Sequence, residues 1–200
     1  MRSPLILGRV VLTRWRKKQA RVQAARARAA AHAADPAAGA RLAEVFPDEI
    51  WPPLNTVVAG YRAIRDEIDP APLLETFFCD QVRIGLPCVM GPGRPLVFRS
   101  WTPGDRLVTG AFGVEEPEPS QPEVRPSLVL IPLLAFDRQG RRLGYGAGFY
   151  DRTLERLRQA GPVTAVGIGF EAQRMRRVPT DAHDAPLDWI VTEERAHRVG

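Results

Sequence analysis

Cysteine, histidine and lysine are all scarce in this chain, and acidic residues are missing from its start. The two cysteines, Cys79 and Cys88, form no Cys-x-x-Cys pair and have no histidine nearby. That spacing excludes a disulfide framework and reads as small core or loop residues in a reducing compartment, hence the cytoplasm. Three scattered histidines do not make the ligand cluster of a zinc site. No apolar stretch approaches the ~20 residues needed to span a bilayer. Residues 5–12 are short, are interrupted by Arg9 and lack a small-residue cleavage site, so they do not read as a secretory signal. No internal repeat or second domain is visible.

The missing acid locates the charge. Residues 1–34 hold nine arginines and lysines and no Asp or Glu. The formal net charge of +5 therefore belongs to this segment, because the rest of the chain has 19 basic against 23 acidic residues. Only Lys17 and Lys18 are lysines, and alanine is abundant. With that bias a single arginine carries little weight by type alone. An Arg-rich, acid-free start also fits an organellar transit peptide, but a helical phosphate-binding segment has the same composition.

What is present points to one domain. Two hundred residues with 44% hydrophobic and 26% charged content suit a soluble globular fold that buries a core without disulfides or metal.

The chain is organised around residues 127–154, SLVLIPLLAFDRQGRRLGYGAGFYDRTL. Residues 128–136 form an apolar run long enough for a strand buried on both faces. Asp137 and Gly140 supply turn chemistry, Gly144, Gly146 and Gly148 follow, and residues 149–157 have helical spacing. Strand, glycine loop and helix together converge backbone N–H groups and a helix N-terminus on an anion. Glycines allow this because, without a Cβ, they tolerate positive φ and close approach. The loop is not a Walker A motif, since no Gly-Lys-Ser/Thr closes it, nor the Gly-x-Gly-x-x-Gly of a dinucleotide fold. On spacing alone, a glycine-rich turn without a ligand is an equal reading. Arg142 ahead of the glycines can pair with phosphate. Asp151, near the helix start, can cap it or carry a magnesium ion.

Taken whole, AFDxxGxRLGYGxGxYDRxL closely resembles the signature of the 5-formyltetrahydrofolate cyclo-ligase, or methenyltetrahydrofolate synthetase, family. Two positions depart from it. Ala147 stands where Gly or Lys is usual, which stiffens the loop, and Phe149 stands where Tyr is usual, which removes a hydroxyl. The resemblance covers residues 14–193. It implies an α/β three-layer sandwich with a mainly parallel sheet, the architecture of ribose-phosphate isomerases and CoA transferases, and the alternation of strands and helices agrees. Residues 1–13 fall outside it and read as a disordered extension ahead of a single domain over residues 14–200.

The resemblance also implies roles. Lys17 and Arg21 form a Lys-x-x-x-Arg pair one turn apart on one helix face and would contact ATP phosphates. Lys18 replaces Lys17 if the register slips by one, and Arg28 extends the stripe. Arg142 and the loop Leu143, Gly144, Tyr145, Gly146, Ala147, Gly148, Phe149 and Tyr150 would complete the ATP site. Arg142 and Tyr150 are the implied catalytic residues. Glu67 would grip the folate, because one carboxylate accepts a pterin's adjacent N–H donors side by side. Trp101 either stacks on the folate or is a half-buried core residue. Glu116, in a Gly-x-x-Glu-Pro turn, Tyr150, Arg62 and Ile64 would line the same site. Asp151 and Asp184 are the implied magnesium ligands, although a capping role explains Asp184 nearly as well.

The implied reaction is ATP-dependent closure of 5-formyltetrahydrofolate to 5,10-methenyltetrahydrofolate. Its partners are small molecules, the reduced folate and ATP, met by a cytoplasmic monomer without membrane or nucleic-acid contacts. A competing reading is an inactive cyclo-ligase-like body that binds nucleic acid through its basic arm. The net-acidic body and the lack of an aromatic-studded basic face count against it.

Elsewhere the pattern predicts a helix over residues 14–34 and another from Pro36 to about Trp51, with Leu42, Val45, Phe46 and Ile50 on one face. Strands are predicted over 56–61, 82–89, 96–101, 163–170 and 188–192, and a helix over 72–79. Residues 115–126 read as a surface loop, Gln173 as a sheet-edge residue, and the last residues as frayed.

Overall fold

Short aliphatic runs bounded by Pro and Gly build one sheet, and the Ala- and Leu-containing segments between them cover it. The computed structural model describes residues 4–180 and 184–199. The chain begins with α1 (Pro4–Ala34), α2 (Leu42–Val45), β1 (Val57–Ala59), α3 (Ala71–Cys79), β2 (Arg83–Cys88) and β3 (Val97–Trp101). It continues with β4 (Leu107–Thr109), β5 (Glu115–Pro117), β6 (Glu123–Val124), β7 (Leu128–Pro132), β8 (Ala135–Phe136) and β9 (Arg142–Leu143). The last elements are α4 (Phe149–Ala160), β10 (Thr164–Ile168), β11 (Trp189–Val191) and β12 (Ala196–Arg198).

Among the described residues, eight strands form the main sheet in the order β12-β11-β10-β7-β1-β2-β3-β6. The five central strands are parallel, and β12, β3 and β6 pair antiparallel at the edges. Alternate side chains feed two cores. Val58, Ile84, Leu130, Val166 and Ile168 pack with Leu42, Phe46, Leu73, Leu74 and Phe77 from α2, α3 and the segment between. Ala59, Val129, Ile131, Ala165 and Ile190 pack with Leu154 of α4 on the opposite face. Both faces of the parallel strands are thus covered, which is why those strands read as unbroken apolar runs. The result is the three-layer α/β architecture. Among the described residues no helix is long and apolar enough to cross a membrane.

Helix α1 packs by a different rule. Its buried stripe is small, Ala20 and Ala24 against Leu134, Ala135, Leu143 and Val178, so its backbone comes close to the β8–β9 hairpin. Lys17, Arg21 and Arg28 share that stripe at helical spacing, and Lys17 and Arg28 are buried. An alanine seam is therefore the device that carries cations inward.

Several boundaries differ from the sequence expectation. The first helix begins at Pro4 and so takes in residues 4–13, which the resemblance leaves outside the domain. The helix predicted from Pro36 to Trp51 is broken into α2 and the 3-10 turns Ala38–Arg41 and Asp48–Ile50. Pro47 is the cause, since the residue before a proline is driven out of the helical region, and Phe46 is extended at ψ 129°. The predicted strand over 128–136 ends at Pro132, and Ala135–Phe136 turns away to pair with β9. Gln173 is buried at that break, not at a sheet edge. Its Nε2 donates to Leu133 O at 2.5 Å and Leu134 O at 3.0 Å, satisfying carbonyls that a continuous strand would have paired. Residues 115–126 supply β5 and β6 in place of a plain loop, and residues 196–198 form edge strand β12 in place of a frayed end.

Candidate active site

Chain order moves in one direction along the sheet from β1 to β2, and in the other from β7 to β10 and β11. Between β1 and β7 the order reverses, and the carboxyl ends of strands at such a switch point leave a crevice. A cleft of about 790 Å³ opens there, bordered by Tyr61 and Arg62 after β1, Val89 after β2, Pro132 at the end of β7, and the glycine loop.

One end of the cleft is basic. Lys17 Nζ lies 2.6 Å from Asp184 Oδ2. Arg21 Nε donates to Gly144 O at 2.9 Å. Arg142, buried on β9, donates to Asp151 Oδ1, which also accepts from Ala185 N at 3.0 Å. Lys18 is exposed and Lys17 is buried, so Lys17 is the lysine at the cleft. The loop needs its glycines: Gly146 sits at φ +101°, and a Cβ there would lie 2.9 Å from Arg21 Nη2. Gly148, at φ +68°, immediately precedes α4, whose first turn carries Asp151.

The other end is built on Glu67, which is 4% exposed. Its Oε1 accepts from the Tyr145 hydroxyl at 2.9 Å and its Oε2 from Ile64 N at 3.1 Å, while Arg28 Nη1 lies 3.6 Å from Oε1. Burial raises the Glu67 pKa, and these donors pull it back only in part. Glu116 accepts from Val89 N at 3.1 Å, and burial raises its pKa too. Gly110 makes room for it, since a Cβ at that position would come within 2.1 Å of the Glu116 carboxyl carbon. Arg62 Nε is 3.5 Å from Glu115 Oε2 at the rim.

Tyr150 lies between the two ends. Burial raises its phenol pKa first, the Glu67 charge raises it further, and Arg142 opposes both. A neutral phenol in this position is a hydrogen-bond donor at neutral pH, not a base.

The cleft brings together Lys17, Arg21, Arg62, Ile64, Glu67, Glu116, Arg142, residues 143–150, Asp151 and Asp184. Trp101 is a correction. Antiparallel pairing sets it opposite Ile84, near the start of β2, whereas the cleft lies past that strand's other end. It is a core residue, 8% exposed, and does not border the cleft. Arg28 is a second correction: it does not line the cleft with Lys17 and Arg21 but pairs with Asp66 Oδ1 at 2.7 Å, at the carboxylate end. Tyr145 belongs to the glycine loop, yet its hydroxyl serves Glu67.

Sequence reasoning misses Tyr61, whose hydroxyl donates to Ile68 O at 2.7 Å. It also misses Phe112, whose exposed ring meets Phe149 edge-on at 6.1 Å; Arg152, which the signature includes without assigning it a role, donates to Ala147 O. Phe112, at φ +61°, has no local signal beyond the neighbouring Gly113.

Asp151 and Asp184 stand at the basic end of the cleft, and Ala185 N joins the two positions through its bond to Asp151. Among the described residues no group of three or more His, Cys, Asp or Glu side chains converges as a metal cage. Two carboxylates beside the glycine loop fit magnesium, which takes one or two protein carboxylates and completes its shell with phosphate oxygens and water.

The fold and cleft define a class: an α/β enzyme whose cleft, at the switch point of a mainly parallel sheet, joins a glycine loop with basic side chains to a buried carboxylate. Within that class, the chain belongs to the 5-formyltetrahydrofolate cyclo-ligase family, whose sequence profile matches residues 12–193. It is similar to the 5-formyltetrahydrofolate cyclo-ligase of Escherichia coli K12, 33% identical over 153 residues covering 72% of this chain and 83% of that one. The enzyme of the same description from Mycolicibacterium smegmatis is 34% identical over 146 residues, 69% of this chain and 74% of the relative. The fold is similar to that of 5,10-methenyltetrahydrofolate synthetase from Aquifex aeolicus, with a TM-score of 0.74, 28% identity and 92% of each chain covered.

Proposed function

We propose that the cleft closes 5-formyltetrahydrofolate to 5,10-methenyltetrahydrofolate using ATP, with release of ADP and phosphate. The reading rests on one observation: Glu67, Tyr150 and the triad Lys17, Arg21 and Arg142 line a single cleft.

The oxygen of a formyl group carried on nitrogen is a poor leaving group from its carbon and needs activation. That oxygen attacks the γ-phosphorus of ATP, the bond to the β-phosphate oxygen breaks, and ADP leaves. The second amine nitrogen of the folate then attacks the activated carbon, the carbon–oxygen bond breaks, phosphate departs and the nitrogen loses its proton. Glu67 holds the pterin by its paired N–H donors. Lys17, Arg21, Arg142 and the loop amides carry the triphosphate, as a task of alignment and charge neutralisation. Magnesium, held by Asp151 and Asp184 when bound, would offset the charge on the phosphates. Tyr150, kept neutral, donates a hydrogen bond toward the reacting group.

Three of the basic residues on α1, Lys17, Arg21 and Arg28, are engaged within the protein, so the nucleic-acid reading of the basic arm is not favoured. The test is absorbance of the methenyl product with purified protein, 5-formyltetrahydrofolate, ATP and magnesium. Turnover that requires ATP and falls sharply in Lys17→Ala and Asp151→Asn is expected. No product from well-folded wild-type protein overturns the reading.

A further inference from the structure

Arg28 does not line the cleft, yet its side chain is 3% exposed. It donates through Nη2 to Asp66 and through Nη1 to the Tyr145 hydroxyl, and it also faces the Tyr145 ring at 5.4 Å. Its Nε is buried with no hydrogen-bond partner among the described residues. A buried cation with an idle donor is a poor choice for stability alone.

Tyr145 explains the placement. It sits between Gly144, whose carbonyl accepts from Arg21, and Gly146, the residue that requires a positive φ. Helix α1 thus grips the glycine loop twice, through Arg21 on the backbone and Arg28 on the Tyr145 hydroxyl. The second grip is shared, because the same hydroxyl donates to Glu67 Oε1. Each Glu67 oxygen takes one close donor, Tyr145 on Oε1 and Ile64 N on Oε2. A carboxylate oxygen accepts two, so a place remains on each for a side-by-side pair of N–H groups while the carboxylate plane is fixed. The Tyr145 side of this contact lies on the loop: the residue is 46% exposed and is flanked by Gly144 and Gly146.

We propose, resting on the folate reading above, that Tyr145 and Arg28 are positioning residues that couple the glycine loop to Glu67. Phosphates that order the loop hold the Tyr145 hydroxyl on Glu67 and thereby tighten capture of the folate. By linkage, folate on Glu67 tightens nucleotide binding by the same factor.

The test is a titration of the full-length protein with 5-formyltetrahydrofolate, with and without a saturating non-hydrolysable ATP analogue and magnesium. The wild-type folate Kd is expected to fall roughly five-fold or more when the analogue is present. In Tyr145→Phe, which loses only the hydroxyl, the ratio of the two Kd values falls to near one. It falls likewise in Arg28→Lys, which keeps the charge but loses the fork. A lowered melting temperature with an unchanged ratio would mark a merely structural contact and overturn the proposal, as would a wild-type ratio of one. Wild-type protein that binds no folate in either condition overturns the folate reading itself, a separate result.

Discussion

Lys17 and Asp184, 167 positions apart in the chain, meet at 2.6 Å across the basic end of the cleft. The contact ties the first helix to the segment that precedes β11. It also sets side by side the cation and the carboxylate to which the proposed function gives a phosphate and a magnesium ion.

Lys17→Ala is expected to lower kcat/KM for ATP roughly ten- to a hundred-fold, from loss of a charge-assisted hydrogen bond of ~1.5–3 kcal/mol. Lys18→Ala, at an exposed position one residue on, is expected to match wild type. Initial rates at varied ATP distinguish the two.

Glu67 sets a pH dependence whose direction is fixed by its burial. Because the protein holds the Glu67 proton more tightly than water does, the carboxylate is protonated at a pH above the ordinary glutamate value of ~4.3. Protonated Glu67 cannot accept a pair of N–H donors. Folate affinity measured without nucleotide is therefore expected to fall on acidification before an ordinary carboxylate would titrate. In Glu67→Gln that step disappears, along with most of the affinity.

Gly146→Ala places a Cβ at φ +101° and 2.9 Å from Arg21 Nη2. The strain is on the order of 1–3 kcal/mol, and it falls on the loop, one residue from Tyr145. The expected outcome is a raised KM for ATP, with folate affinity in the absence of nucleotide unchanged. Steady-state kinetics and a binding titration read the two effects separately.

Trp101→Phe is expected to leave folate affinity unchanged, because Trp101 belongs to the core at the far end of β2 from the cleft. Its indole N–H is buried without a partner among the described residues, so no hydrogen bond is lost. A stability loss of about 1–3 kcal/mol from the smaller ring is expected in urea unfolding. A large rise in folate Kd would return Trp101 to the site.

The glycine loop is legible in the sequence because its chemistry is local: Asp137 and Gly140 for the turn, alternating glycines, then a helical repeat. Lys17 and Arg21 are legible as a pair for the same reason, since one helical turn sets their spacing. Trp101 and Arg28 are misplaced because their positions depend on non-local geometry. The antiparallel register of β3 on β2 decides which end of the sheet Trp101 occupies. The packing of α1 on the hairpin decides that Arg28 reaches Asp66 and the Tyr145 hydroxyl. Pro47 and Pro132 are visible in the sequence, but the patterns around them are apolar enough to hide the breaks they make. The link between Tyr145 and Glu67 has no sequence signal at all, since the residues are 78 positions apart.

The most direct test of a single cleft that aligns the formyl oxygen with the γ-phosphorus is transfer of an oxygen label. Turnover of 5-formyltetrahydrofolate carrying oxygen-18 in the formyl group, followed by phosphorus NMR of the released phosphate, reports where that oxygen goes. The account predicts one labelled oxygen in each phosphate released. Label recovered in water, with unlabelled phosphate, would contradict it.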